Sequence, residues 1–148
     1  MNIYNNELLG MLSLQEVISI TGGSKLSNAM LILPIIFHKK SLNYLAHKRT
    51  KTISFQDLLL TKPDILVSLN KRYFNFLPTT INCISLSIEN GILELKDGEL
   101  LFLSRLIDEN AFSQLGNRAI KIQSASKNLA TMLMDSSSNI YDLCGIKL

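Results

Sequence analysis

Ile92-Leu93-Glu94-Leu95, Lys96-Asp97-Gly98-Glu99 and Leu100-Leu101-Phe102-Leu103 follow one another without a break, and the reading of this stretch decides the fold. Two short apolar runs flank Asp97-Gly98, the pair favoured in a two-residue hairpin turn because both central positions take positive φ. The stretch therefore predicts two short strands, 92–95 and 100–103, joined at that turn. Just upstream, Asn90-Gly91 suits a left-handed cap that closes a helix. The helix it closes is expected to open at Pro78 and Thr79 and to carry Ile81, Ile84, Leu86 and Ile88.

Further upstream, Ser54-Phe55-Gln56-Asp57 resembles a capping box without its usual Glu or Gln and opens a short helix to Leu60. Thr61 with Pro63 restarts a helix to about Phe76. Three short helices followed by a hairpin is the order of a winged helix-turn-helix, with 79–90 in the place of the recognition helix. The expected class is α+β, mainly helical. One domain, 1–148, is divided into N-terminal helices and a basic connector (1–53), the winged-helix core (54–103) and C-terminal helices (104–148).

Toward the N-terminus, Asn5 or Asn6 caps a helix running to about Thr21, ended by Gly22 and Gly23. Ser24 or Ser27 then starts an apolar helix to Phe37, in which Pro34 kinks the backbone or ends a turn. Its all-round apolarity signals deep burial. Residues 38–53 read as a polar, basic connector holding a short helical turn at most. Beyond the hairpin, a long helix runs from about Asn117, or from Asn110 if Gly116 does not break it, to Met134. Ser136 to Ser138 cap a last short helix ending at Cys144 and Gly145.

At 148 residues the chain holds one sizeable core. Its 47% hydrophobic content excludes disorder, whereas 18% charged residues, against roughly 25% on average, leave little charge to cover the surface. That shortage points to partners. The net charge of +3 is too small to mark a nucleic-acid binder, but its distribution is uneven. Between Glu16 and Asp57 there are six basic residues (Lys25, Lys39, Lys40, Lys48, Arg49, Lys51) and no acid, whereas Glu89 to Glu109 holds six acids against Lys96 and Arg105. The longest apolar run, Leu26 to Phe37, falls short of the ~20 residues of a membrane span, and no basic segment marks a secretory signal.

Little here points to chemistry. Cys83 and Cys144 stand far apart without metal-ligand spacing, which suits reduced thiols in a cytoplasm. His38 and His47 lie at no helical spacing from a Cys, an acid or each other. Gly22-Gly23-Ser24-Lys25 shares letters with a phosphate loop but follows a helix and lacks the second glycine four residues away; a helix end followed by a helix start is the expected reading. Asp108-Glu109 is an adjacent pair whose side chains diverge. No metal, no cofactor and no catalytic residue are expected. In the presumed recognition helix, Thr79 to Ile88 lacks Lys, Arg and Gln, and only Asn82 is suited to a base edge. Candidate phosphate-backbone contacts are Lys48, Arg49 and Lys51.

Leu33-Pro34-Ile35-Ile36-Phe37-His38-Lys39 resembles the middle component of bacterial three-component ABC systems, which carries a similar apolar helix ending in Leu-Pro, aliphatic residues, His and Lys. The resemblance extends through Pro63 with Arg72, the helix 79–90 and its hairpin, and the ending from Ala119 through Ala130 to Tyr141, Leu143, Gly145, Ile146 and Lys147. Where that family often has Leu-Gly-Arg and then an aromatic-Ala pair, this chain has Ser124, Ala125, Ser126 and then Asn128-Leu129-Ala130. The resemblance implies a non-catalytic cytoplasmic adaptor. Its role would be to join a chromosome-maintenance-like (SMC-like) ABC ATPase to an effector in antiphage or antiplasmid defence of the Lamassu kind, as part of a hetero-oligomer. A small winged-helix DNA-binding regulator is the alternative, using the basic 38–51 stretch for nonspecific contact. For the adaptor, the expected partner interface is Ile81, Ile84, Ile88, Ile92 and Leu100, which cannot all face one small core.

Overall fold

The computed structural model describes residues 3–52 and 54–148, with side chains from Asn6 onward. Helix α1 (Ile3–Thr21) is its spine. Leu12, Leu14, Val17 and Ile18 are buried together with Ser13, Gln15 and Glu16, so the middle of the helix, 10–18, is enclosed on every side rather than laid on a surface. It starts ahead of the expected cap: Asn6 lies inside the helix, and the side chain of Asn5 lies outside the described residues. Gly22, at φ +86°, ends it, with its amide bonded to the Ile18 carbonyl at 2.9 Å.

Strand β1 (Gly23–Lys25) follows, where a helix end and a helix start were expected. The hairpin forms as anticipated from strands β2 (Leu93–Lys96) and β3 (Glu99–Phe102), with Asp97 at φ +53° and Gly98 at φ +77° in the turn. The sheet is antiparallel in the order β1-β3-β2, with Ser24 opposite Leu100 and Leu95 opposite Leu100. Gly-Ser-Lys has no apolar alternation to announce a strand; its pairing depends on the free edge that β3 supplies. Gly23 fits closely there: a Cβ would lie 3.2 Å from Leu101 Cδ2 and 3.3 Å from the Leu100 carbonyl oxygen, so a larger residue would push β3 by a few tenths of an ångström.

The expected apolar helix is divided into α2 (Leu26–Ala29) and α3 (Ile32–Ile36), with Leu31 to Ile36 buried throughout. Pro34 sits in the first turn of α3, where its missing N–H has no intrahelical role. The connector holds more order than expected: α4 (Lys39–Ala46) buries Ser41, Leu42 and Leu45 and exposes Lys39, Lys40 and Asn43. Ser54 caps α5 (Phe55–Thr61), its Oγ accepting from the Asp57 amide at 3.0 Å, and Pro63 opens the single turn α6 (Pro63–Leu66).

Helix α7 (Leu69–Glu89) overturns the expected break at Pro78: one 21-residue helix replaces two. Proline in a helix interior costs about 3 kcal/mol. Leu69 and Tyr73 before it and Cys83 and Ile84 after it are all buried, and at about 1.5–3 kcal/mol per large apolar side chain their shared burial outweighs that cost. Pro78 itself is exposed, as is Phe74, whose carbonyl loses the bond. A 3₁₀ helix (Glu109–Leu115), Gly116 at φ +100°, helix α8 (Asn117–Met132) and helix α9 (Ser137–Cys144), capped by Ser136 and ended by Gly145 at φ +67°, complete the chain.

Residues of 1–53, 54–103 and 104–148 lie in one hydrophobic cluster, from Met11 through Ile84 and Leu100 to Ile146; Leu12, Phe112 and Ala119 form a smaller one. Among the described residues no helix is long and apolar enough to cross a membrane.

Candidate interaction surfaces

The expected apolar interface separates into two groups. Ile81 and Ile88 are exposed, at 53% and 38%, whereas Ile84, Ile92 and Leu100 belong to the core. Ile84 shares the face of α7 that carries Thr80, Cys83 and Ser87 inward. Ile92 closes the helix-to-strand turn, its amide bonded to the Ser87 carbonyl at 2.9 Å and its carbonyl accepting from Leu103 at 2.8 Å. Leu100 lies in the central strand and points inward. These three residues therefore present nothing to a partner.

Phe74, 42% exposed, joins Ile81 and Ile88 on the outer face of α7. The three stand seven residues apart, a spacing that drifts only about 20° per step, so they form one stripe about 21 Å long. Pro78 and Ser85, also exposed, lie between them, and no residue from Tyr73 to Ile88 carries a charge. The spacing was present in the sequence, but reading Pro78 as a helix start separated Phe74 from the two isoleucines. Leu95 and Leu103, 48% and 52% exposed, add apolar surface on the hairpin and were also missed. Asn82, the one residue from Thr79 to Ile88 suited to a base edge, donates from Nδ2 to Glu7 Oε1 at 3.0 Å.

Lys48, Arg49 and Lys51 are exposed on the segment after α4. Asn128 of α8 holds that segment: its Nδ2 donates to the Leu45 and Thr50 carbonyls at 2.9 and 3.1 Å, and its Oδ1 accepts from the Thr52 amide at 3.1 Å. Asn128 therefore clamps the basic segment to α8.

The titratable groups do not converge. His38 Nδ1 lies 2.6 Å from Ser41 Oγ; burial, then the charges of Arg72 and Lys40, hold its pKa below the ordinary value. His47 Nδ1 accepts from the Arg49 amide at 3.1 Å. Burial pushes the thiols of Cys83 and Cys144 up to about 11 and about 12, and both cysteines are free. Asp108 Oδ1 accepts from the Glu109 amide and caps the 3₁₀ helix. Among the described residues no group of three or more His, Cys, Asp or Glu is placed to hold a metal ion.

A family model described as ABC-three component (ABC-3C) system Middle Component 3 matches residues 15–148. No curated protein and no solved structure matches the chain.

Proposed function

The chain belongs to the ABC-three component system Middle Component 3 family, and on that premise we propose that it is a non-catalytic adaptor joining an SMC-like ABC ATPase to an effector. The setting we propose is antiphage or antiplasmid defence of the Lamassu kind, in the cytoplasm, within a hetero-oligomer that needs no metal or nucleotide on this subunit. The observation that carries the adaptor reading is the Phe74, Ile81, Ile88 stripe: a charge-free, exposed, apolar helix face with heptad-like spacing suits a partner helix. Isolated apolar residues on a surface mean little, but an aligned row without charge is a liability unless covered.

A winged-helix arrangement is part of this reading. It is supported by the order α1, β1, α7, β2, β3 and by the sheet order β1-β3-β2, in which the hairpin forms the wing and α7 stands where a recognition helix would. The strand that completes the sheet comes from residues 23–25, so the winged unit draws on the N-terminal segment as well as on 54–103. Its acidic wing, with Glu94, Asp97 and Glu99, and the engagement of Asn82 by Glu7 weigh against a sequence-reading regulator.

The test is coexpression with the ABC ATPase and effector encoded beside it. The adaptor should be poorly soluble alone, be rescued by the ATPase and remain in complex at high salt, since an apolar contact is little screened. Ile81→Asp with Ile88→Asp should abolish the complex and leave the circular dichroism spectrum unchanged. A monodisperse chain that ignores both neighbours sinks the reading.

A further inference from the structure

Helices α4 and α8 lie side by side and run in the same direction. The Arg118 guanidinium stands 4.8 Å from the centre of the Phe37 ring, Lys121 Nζ is 2.7 Å from Asn43 Oδ1, and Asn128 reaches the Leu45 and Thr50 carbonyls. At the near end of this seam Lys39, Arg118 and Lys121 line a cleft of about 360 Å³ with Asn43 and Asn117. At the far end Lys48, Lys51 and Lys127 line a second cleft of about 370 Å³. All six cations are exposed and no carboxylate lines either cleft, although Lys127 also borders a third cleft that holds Glu16 and Glu109.

From this run of cations through two clefts of one seam we infer that the α4–α8 seam is a binding track for the phosphate backbone of duplex DNA. The inference does not rest on the adaptor reading, and it extends well beyond the Lys48, Arg49, Lys51 cluster. Like charges brought together on a folded surface repel one another, so such a row is costly unless an anion meets it. Two cations outside the seam are matched by acids, Lys40 by Asp64 at 2.9 Å and Arg105 by Glu16. The first turn of α8 carries no acid and no side-chain cap, so its amide ends add positive potential beside Arg118.

The shape of the row favours a polymer over a small anion. From Lys121 in one cleft to Asn128 in the other, seven residues on along one face of α8, the helix rises about 10.5 Å, the axial length of about three phosphates on one strand of a duplex. Single-strand grooves add aromatic platforms for the bases. Here Arg118 covers the Phe37 ring, and Lys62 stands 5.7 Å from the centre of the Tyr44 ring, so both aromatics near the seam are already engaged. The contact this geometry supports is sequence-independent.

The probe is a fluorescein-labelled 20-base-pair duplex titrated with the full chain, followed by anisotropy at several salt concentrations. With three to five phosphates met, affinity should fall about 40- to 500-fold between 50 and 200 mM salt. Lys39→Glu with Lys127→Glu takes one cation from each cleft; neither change removes a stacked or hydrogen-bonded group seen here. The pair should weaken binding at least tenfold and reduce the logarithmic salt slope by about two. Lys96→Glu, on the acidic hairpin, should leave it unchanged, and both variants should keep the wild-type circular dichroism. No binding at 50 mM salt overturns the inference. So does equal binding by the double variant, equal or tighter binding to the matching single strand, or displacement by stoichiometric pyrophosphate.

Discussion

Arg72 of α7 donates from Nη1 to the Pro34 carbonyl oxygen at 2.6 Å and from Nη2 to the Ile65 carbonyl oxygen at 2.7 Å. Its Nε reaches Ser68 Oγ at 3.1 Å. Pro34 lies in α3 and Ile65 in α6, helices of five and four residues whose last carbonyls have no partner of their own. One planar fork therefore ties both short helices to α7. Pro34 supplies one of the two carbonyls, and Pro63 opens the short helix that supplies the other.

Replacing Arg72 should cost stability through geometry rather than charge. Hydrogen bonds to a charged donor are worth about 1.5–3 kcal/mol each, so Arg72→Met is expected to destabilise by about 2–4 kcal/mol. Arg72→Lys keeps the charge but not the fork and should recover less than half. Urea unfolding at constant slope measures both; a lysine variant as stable as wild type would show that charge alone suffices.

Gly10 offers a conflict of sign. An alanine there should raise helix propensity by about 1 kcal/mol. Its Cβ, however, would lie 2.5 Å from Cys83 Sγ and 3.3 Å from Leu33 Cδ2, at the crossing of α1 with α7. Overpacking of a core costs about 1–3 kcal/mol, so Gly10→Ala is expected to destabilise. Adding Cys83→Ala removes the sulfur, and the double variant should be more stable than the sum of the two single effects allows. Additive effects would mean that the helices simply move apart.

What could be read before folding was local chemistry. Asp97-Gly98, the Ser54 and Ser136 caps and the closing Gly145 each set a backbone angle or satisfy an amide within a few residues, and each is present as expected. Strand β1 escaped because its pairing partner lies more than seventy residues away. Pro78 misled because propensity is a local penalty that burial on both sides overrides. The surfaces followed the same division: Lys48, Arg49 and Lys51 stand out as charge, but only the packing of α8 on α4 gathers Lys39, Arg118 and Lys121 in one cleft and sets Lys127 beside Lys48 and Lys51 in another. Ile84, Ile92 and Leu100 differ from Ile81 and Ile88 only by which side of a helix or strand they occupy.

Glu16 is 5% exposed and paired with Arg105, while Gln15 Nε2 donates to the same carboxylate at 2.9 Å. Gln15 also accepts the Leu106 amide, so this cluster fastens the segment after the hairpin to α1. Arg105→Met strands a buried carboxylate and should cost about 3–5 kcal/mol. Combining it with Glu16→Gln should restore most of that loss. Glu109, 4.0 Å from Arg105 and largely exposed, should matter by less than about 0.5 kcal/mol when replaced by Ala. The ordering of these three variants in denaturant is the check, and equal losses for Arg105→Met and Glu109→Ala would contradict it.

His38 predicts the acid response of the junction beside Arg72. Its folded pKa lies below the ordinary value of 6.5, through burial first and then through the charges of Arg72 and Lys40. The unfolded chain therefore takes up the proton first as pH falls, and stability must decline with it. The contribution is fully present above about pH 6.5, is lost as pH falls through the folded pKa and then levels off. Protonation would also place a third cation beside two existing ones and replace the neutral ring that now meets Ser41 Oγ. His38→Gln keeps a hydrogen-bonding side chain and removes the titration. Between about pH 7 and about pH 5 the wild-type chain should lose more unfolding free energy than this variant, measured by denaturant titration at each pH. Parallel curves for the two proteins would show that the proton settles elsewhere, and a wild type that gains stability on acidification would reverse the sign argued here.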